Sequence, residues 1–100
     1  MIKISIVIPT YNEKENILPL VSEIFGYIDR SRYDAELIIV DDNSPDGTGE
    51  AAENLRTRFN LKVVHRAGKL GLGSAVREGF AVASGDIIGV MDADLSHDPA

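Results

Sequence analysis

The fold of this chain is decided by two short stretches, Ile38-Ile39-Val40-Asp41-Asp42 and Ile87-Ile88-Gly89-Val90-Met91-Asp92-Ala93-Asp94. Each is an apolar run of the kind that forms a buried strand, followed at once by acidic residues. In an open α/β sheet, ligands bind at the carboxyl ends of the strands, where these acidic residues would lie. Clustered carboxylates repel one another unless a cation or hydrogen-bond donors compensate them. The pattern therefore predicts a site for a metal ion and an anionic ligand.

The rest of the chain alternates short apolar runs with amphipathic helical patterns. Strands are predicted at residues 2–8, 35–40, 61–65 and 87–91, and the first helix at about residues 13–29. Pro9 is expected to end the first strand, and Asn12 and Glu15 are expected to form a capping box. The inward positions predicted for the next two helices are Ala51, Leu55 and Phe59, then Val76, Phe80 and Ala83. This β-α-β-α-β-α-β order, with right-handed crossovers, predicts a three-layer α/β domain with a parallel sheet.

Composition narrows the class of protein. The chain has 100 residues, of which 44% are apolar and 26% charged, as in an ordinary globular domain. Its net charge of −6 and the lack of any basic run argue against nucleic-acid binding. There are no cysteines, which excludes disulfides and thiolate metal sites and agrees with a reducing, cytoplasmic compartment. No segment approaches the roughly 18 apolar residues that a membrane-spanning helix needs.

The pair Asp92 and Asp94 is the strongest metal-binding candidate. In an extended segment, residues two apart face the same side, so both carboxylates can bind one cation. Oxygen ligands of this kind suit Mg²⁺ or Mn²⁺. The alternative is a solvated turn in which Ser96 or Asp98 caps a following helix.

Two other loops each allow a functional and a structural interpretation. Asp41 and Asp42 could accept hydrogen bonds from a nucleotide, or could belong to the turn-rich segment 41–47. In segment 9–13, Tyr11 could stack on a base while the helix amino terminus binds an anion, or Asn12 could simply cap the helix. The residues themselves leave the choice open for Asp41 and Asp42, whereas for segment 9–13 taken alone they favour the helix start.

The glycine-rich loop that follows the third strand supplies two cations. Arg66 and Lys69 could neutralise a diphosphate, although each taken singly is more often a solvated loop residue. The loop lacks the spacing of a P-loop. Gly47, Gly49 and Ala52 match the letters of a dinucleotide fingerprint, but six polar residues separate them from the strand. We therefore treat that match as coincidence.

Four motifs taken together resemble one family. They are residues 7–13 (Val-Ile-Pro-Thr-Tyr-Asn-Glu), 40–48 (Val-Asp-Asp-Asn-Ser-Pro-Asp-Gly-Thr), 69–75 (Lys-Leu-Gly-Leu-Gly-Ser-Ala) and 91–99 (Met-Asp-Ala-Asp-Leu-Ser-His-Asp-Pro). In this order they resemble the family 2 inverting glycosyltransferases of the GT-A fold, and most closely the dolichyl-phosphate (polyprenyl-phosphate) mannosyltransferases. The resemblance implies that residues 1–100 form the Rossmann-like, nucleotide-diphospho-sugar-binding half, ending before the acceptor-binding half.

The resemblance also implies a reaction. The donor would be GDP-mannose or another nucleotide-diphospho-sugar, and the acceptor a polyprenyl or dolichyl phosphate at the cytoplasmic face of a membrane, with peripheral membrane association of the full enzyme. Asp92 and Asp94 would be catalytic, and with Ser96 they would bind Mg²⁺ or Mn²⁺. These 100 residues alone are expected to bind nucleotide weakly and not to transfer sugar. The donor-binding residues implied are Pro9, Tyr11, Glu13, Val40, Asp42, Asp92, Ala93 and Asp94.

Two other classes of protein stay open from the sequence. A phosphoacceptor receiver domain also places acidic residues at strand ends around Mg²⁺, but its acidic pair follows the first strand. Here Pro9, Thr10 and Tyr11 follow the first strand instead. The other class is a non-catalytic nucleotide-binding or protein-interaction module.

Overall fold

The computed structural model describes residues 2–29, 31–67 and 72–91. Four strands alternate with three helices, in the order that the sequence predicts. In chain order the elements are β1 (Ile2–Thr10), α1 (Lys14–Tyr27), β2 (Tyr33–Asp41), α2 (Thr48–Leu55), β3 (Leu61–His65), α3 (Leu72–Val82) and β4 (Ile87–Val90). Residues 92–100 lie outside the described residues.

The four strands form one parallel sheet in the order β3-β2-β1-β4. The chain moves outward from β1 to β3, and α3 then carries it back across β2 and β1. Helices α1 and α2 cover one face of the sheet, and α3 covers the other. The predicted three-layer α/β fold is therefore confirmed. The change of direction at β1 and β4 creates a switch point, beside which ligands bind in sheets of this kind.

Successive residues along β1 and β2 belong to two hydrophobic cores, one on each face of the sheet. Ile8 and Ile39 pack against α1 and α2, whereas Val7 and Ile38 pack beneath α3 with Ala75. A sheet that is buried on both faces needs continuous rather than alternating apolar residues. This explains why the central strands read as unbroken apolar runs.

Strand β1 continues through Pro9 to Thr10, so the predicted end at Ile8 is wrong. Along β1, the backbone groups of Val7 and Pro9 lie on the side of β4, and the Met91 N–H donates to the Val7 carbonyl. Within the described residues the β1–β4 pairing extends to Val7 opposite Val90, and Pro9 has no N–H to donate to β4 at the next position. Pairing with β2 extends further, to Thr10 opposite Asp41. Pro9 is therefore compatible with the ladder that β1 forms with β2.

The predicted inward faces of α2 and α3 are wrong in part. Leu55 is buried as predicted, but Ala52 rather than Ala51 is fully buried in α2. Phe59 lies after the helix, where its ring stacks on Phe25 with centroids 5.4 Å apart. In α3 the buried residues are Ala75 and Gly79, whereas Phe80 is exposed, Val76 is half-buried and Ala83 packs at the margin of the smaller core.

Gly79 explains the different face of α3. A Cβ atom at this position would lie 2.3 Å from Val7 Cγ1 and 3.3 Å from Val40 Cγ2. The helix therefore approaches the sheet through its smallest residue, and the larger side chains turn away. Apolar spacing alone favours the large side chains and so indicates the wrong face.

Strand β4 is exposed, although its apolar sequence predicts a buried strand. Ile87, Ile88 and Val90 keep between 40% and 55% of their surface accessible within the part of the chain that is described. The strand lies at the edge of the sheet, and α3 packs over β1 and β2 instead.

A cluster of polar side chains on the α3 side ties β4 to the sheet. Glu36 is buried on β2, and its Oε2 accepts hydrogen bonds from Ser5 Oγ (2.6 Å), Ser84 N (2.7 Å) and Ser84 Oγ (2.8 Å). Its Oε1 lies 3.1 Å from Lys62 Nζ. Burial acts to raise the pKa of Glu36, but the hydrogen bonds from Ser5, Ser84 and Lys62 outweigh it and lower the pKa to about 2. The charged form of Glu36 thus holds the turn between α3 and β4.

Candidate functional site

Polar residues converge at the carboxyl ends of three neighbouring strands. Thr10 ends β1, Asp41 ends β2 and is followed by Asp42, and His65 ends β3 and is followed by Arg66. The backbone links them, since Asp42 N donates to the Thr10 carbonyl (3.1 Å) and Arg66 N to the Asp41 carbonyl (2.9 Å). The sequence predicts that these segments emerge at one edge of the sheet together with residues 92–94. For the described segments this is confirmed, and residues 92–94 lie outside the described residues.

Asp41 organises the loop that follows β2. Its carboxylate accepts hydrogen bonds from the Thr10 hydroxyl (3.1 Å), from the Ser44 backbone N–H (3.1 Å) and from the Ser44 hydroxyl. The bond from Ser44 N back to the side chain three residues earlier is typical of an Asp-centred turn. For Asp41 the structural interpretation is therefore sufficient.

Asp42 is placed differently from its neighbour. Its Oδ1 is buried and lies 3.2 Å from Arg66 Nε, without the geometry of a hydrogen bond. The Asp42 side chain keeps 10% of its surface exposed, whereas that of Arg66 keeps 1%. The described residues form no turn hydrogen bond to Asp42 Oδ1, so the structural interpretation that suffices for Asp41 does not extend to Asp42.

The amino terminus of α1 is capped by the loop after β2. The three N–H groups of residues 12, 13 and 14 donate to Ser44 Oγ (2.9 Å), Thr48 Oγ1 (2.9 Å) and Asp46 Oδ2 (3.1 Å), respectively. The predicted capping box is wrong, because Glu13 occupies the N-cap without a side-chain cap bond and Asn12 has a φ of 56°. Long-range partners thus take the N–H groups of residues 12–14, which favours the structural interpretation of this helix start.

Asp46 and Thr48 form the centre of that cap. Both the N–H and the hydroxyl of Thr48 donate to Asp46 Oδ1. Burial acts to raise the pKa of Asp46, but the bonds from Thr48 and from the Lys14 backbone lower it below its ordinary value. The turn interpretation of Asp46 is thus supported, and the loop and α1 are fixed relative to one another.

The other implied donor-binding residues surround this loop. Tyr11 is 38% exposed at the end of β1, and Pro9 is half-buried. Val40 is fully buried beneath α3, and its carbonyl accepts a hydrogen bond from Thr10 Oγ1 (3.3 Å). Glu13 Oε2 accepts a hydrogen bond from Asn16 Nδ2 (2.8 Å).

Arg66 is a buried ion-pair partner and not a solvated loop residue. Besides Asp42, its Nε lies 3.0 Å from Glu78 Oε2, and its Nη2 donates to Ser74 Oγ (2.9 Å). Sequence reasoning missed this pairing. The available signal was that Asp42 and Arg66 each follow the end of an apolar strand, so the two residues meet once the strands are neighbours.

The predicted metal ligands Asp92, Asp94 and Ser96 lie outside the described residues, as do Ala93 and Lys69. Within residues 2–29, 31–67 and 72–91, no group of three His, Cys, Asp or Glu side chains could hold a metal ion. Over the same residues, no helix is long and apolar enough to cross a membrane. Met91, which precedes Asp92, is hydrogen-bonded to β1 at the edge that carries Thr10 and Asp42.

The family model for glycosyl transferase family 2 matches residues 5–100. The chain is 48% identical over 97 residues to a dolichol-phosphate mannosyltransferase of Pyrococcus furiosus, covering 97% of this chain and 27% of that protein. It is 42% identical over 100 residues to the dolichol-phosphate mannosyltransferase of Saccharomyces cerevisiae, covering 98% of this chain and 38% of that protein. The chain thus spans about a quarter to two fifths of the length of these relatives.

Solved structures with the same fold contain nucleotide-sugars. The mannosyltransferase PcManGT from Pyrobaculum calidifontis, in complex with GDP-Man and Mn²⁺, superimposes with a TM-score of 0.80 at 28% identity, covering 91% of this chain and 27% of that one. Staphylococcus aureus TarS 1-349, in complex with UDP-GlcNAc, gives a TM-score of 0.78 at 29% identity, covering 92% of this chain and 26% of that one.

Proposed function

We propose that residues 1–100 of this chain are the donor-binding part of an inverting polyprenyl-phosphate mannosyltransferase. The chain belongs to glycosyltransferase family 2. The donor is GDP-mannose and the acceptor is a dolichyl or other polyprenyl phosphate. The relatives' names support mannose and dolichol phosphate, and the GDP-Man complex of PcManGT supports the donor. The receiver-like alternative gains no support from any of these relatives.

The observation that carries the proposal is the arrangement of three strand ends around the switch point. Asp42, Thr10 and Met91 lie at the ends of the neighbouring strands β2, β1 and β4; the Asp42 N–H donates to the Thr10 carbonyl, and the Met91 N–H donates to the Val7 carbonyl on β1. We expect Tyr11 and Asp42 to bind the base and ribose, with Pro9, Glu13 and Val40 beside them. Asp92, Ala93 and Asp94 follow β4 directly in sequence and would meet the diphosphate and the sugar.

Asp92, Asp94 and Ser96 fit a divalent cation by the chemistry of their donors. Two carboxylates and a hydroxyl are hard oxygen ligands, and Mg²⁺ or Mn²⁺ bound by one or two carboxylates also binds substrate phosphates. When bound, the cation supplies positive charge that offsets the charge developing on the leaving nucleoside diphosphate.

The chain's own residues hold the donor while the lipid phosphate displaces the nucleotide. A phosphate oxygen forms the bond to the anomeric carbon as the bond to the diphosphate breaks, and the configuration inverts. Because the acceptor is already anionic, the reaction needs no strong general base in this half. The work of residues 1–100 is therefore to bind and orient the donor next to a membrane-bound acceptor.

A titration tests this proposal. GDP and UDP are titrated into the full-length polypeptide by calorimetry, with and without Mn²⁺, and transfer is measured from GDP-mannose to a polyprenyl phosphate. We expect metal-dependent GDP binding and transfer that Asp92→Asn and Asp94→Asn each abolish. Asp86→Asn is the matched control, since Asp86 is exposed before β4 and its backbone pairs with Lys3 at the other end of the sheet. Metal-independent binding, or equal loss in all three variants, would contradict the proposal.

A further inference from the structure

The buried guanidinium of Arg66 connects three elements at the edge of the sheet. Its backbone extends β3, its Nε lies 3.2 Å from Asp42 Oδ1 after β2, and its side chain reaches Ser74 and Glu78 on α3. Glu78 is about half exposed, whereas Arg66 and Asp42 are nearly or fully enclosed. Arg66 is thus held from α3 on one side and faces Asp42 on the other.

A buried ion pair of this kind contributes little to the stability of the fold. Removing both charges from water carries a large penalty, which their attraction offsets only when geometry and hydrogen bonding are good. Here Asp42 Oδ1 is buried and accepts no hydrogen bond from the described residues, so Arg66 compensates the charge of the carboxylate from its buried side, while 10% of the Asp42 side chain stays exposed to a ligand. That combination suits a carboxylate that is held ready for a ligand.

Direct contact between Arg66 and a diphosphate does not fit this arrangement. The guanidinium is 1% exposed and already lies between two carboxylates. A cation that neutralises a bound diphosphate needs surface and charge that are free for the ligand. Arg66 acts instead through the side chain beside it.

We propose that Arg66 is a positioning residue that holds the Asp42 carboxylate in place to accept hydrogen bonds from the base of a bound nucleoside diphosphate. The inference rests on the proposed function, because it requires that a nucleotide binds here. Ser74 and Glu78 locate the guanidinium, and the guanidinium locates Asp42. Base recognition is thereby coupled to α3, which does not itself touch the base.

The test is a double-mutant cycle on the full-length polypeptide, with the Kd for GDP measured in the presence of Mn²⁺. A hydrogen bond to a charged acceptor contributes about tenfold to a hundredfold in affinity. We therefore expect Asp42→Asn and Arg66→Met each to weaken GDP binding by about tenfold or more. Combining them should add less than about twofold, because Arg66 acts through Asp42.

Two further measurements separate positioning from other roles. Pyrophosphate has no base, so its affinity should stay within about twofold in all these variants. Arg66→Lys, which keeps the charge but loses the planar fork, should recover part of the GDP affinity. Arg77→Gln, which changes an exposed charge on the same helix, is the control, and it should change the Kd for GDP by less than about twofold. Circular dichroism monitors the fold of every variant. If Arg66→Met does not fold, Ser74→Ala replaces it, and this variant is expected to weaken GDP binding by about threefold.

The outcomes distinguish a failure of the proposed nucleotide binding from a failure of the positioning role of Arg66. If wild-type protein binds no GDP, or Asp42→Asn leaves its affinity unchanged, the proposed function fails at this site and the inference fails with it. If Asp42→Asn weakens GDP but the Arg66 variants do not, or if the effects add in full, only the positioning role is overturned. An equal loss of pyrophosphate affinity in Arg66→Met would show that Arg66 binds phosphate or supports the fold generally.

Discussion

The charge on Glu36 should stabilise the fold, and lowering the pH should remove that stabilisation. Glu36 accepts three hydrogen bonds through Oε2 and pairs with Lys62 through Oε1, which lowers its pKa from 4.5 to about 2. Each tenfold change in proton affinity corresponds to 1.36 kcal/mol, so this difference contributes about 3 kcal/mol to the free energy of unfolding. Glu36→Gln removes that charge with little change in shape.

The sign of the pH dependence follows from the direction of the pKa. Because the folded-state pKa lies below the unfolded value, the contribution is complete above pH 4.5 and falls as the pH drops from 4.5 towards 2. Urea denaturation should therefore show Glu36→Gln less stable than wild type by about 3 kcal/mol at pH 7. The difference between the two proteins should shrink progressively below pH 4.5.

The control for this experiment is Glu23→Gln, which changes an exposed carboxylate on α1 and should alter stability by less than about 0.5 kcal/mol. A second variant, Ser84→Ala, removes one donor side chain and should lose about half as much as Glu36→Gln. A loss below about 1 kcal/mol at pH 7, or a difference that stays constant down to pH 2.5, would refute the reasoning.

Three other perturbations test the packing, the cap and the extent of the donor-binding part. Gly79→Ala should lower the free energy of unfolding by about 1–3 kcal/mol, because its Cβ would clash with Val7 despite the better helix propensity of alanine. Thr48→Val should lower it by about 1–2 kcal/mol, since the buried hydroxyl serves both Asp46 and the Glu13 N–H. Residues 1–100 alone should bind GDP more weakly than the full-length polypeptide in calorimetry, and should transfer no mannose to a polyprenyl phosphate.

Each of these has its own control. Gly73→Ala, with nothing within 4 Å of its added Cβ, should be neutral or stabilising by urea denaturation, and a loss equal to that of Gly79→Ala would exclude the proposed clash. Thr57→Val, at an exposed position after α2, should change stability by less than about 0.5 kcal/mol, and parity with Thr48→Val would contradict the capping role. Clear transfer of mannose by residues 1–100 would refute the third expectation.

The sequence by itself determined the element order, the parallel three-layer fold and the edge of the sheet at which its polar segments meet. These follow from local physics, since apolar runs and helical periodicity specify the elements and right-handed crossovers specify their directions. The ends of those elements were less determinate. Pro9 shows why, because its missing N–H matters for the ladder with β4 but not for the one with β2.

Only the tertiary structure decided which polar groups are engaged and which remain available. Asp41 and Asp42 are adjacent in sequence, yet one is tied into a turn and the other faces Arg66. The cap of α1 comes from residues more than thirty positions away, as do the contacts of Glu36 with Ser5 and Ser84. Such pairings depend on which strands become neighbours, and β1 has neighbours from both ends of the chain because α3 carries β4 back across the sheet. The sequence pattern does not show where α3 crosses the sheet, and so it does not show which strands become neighbours.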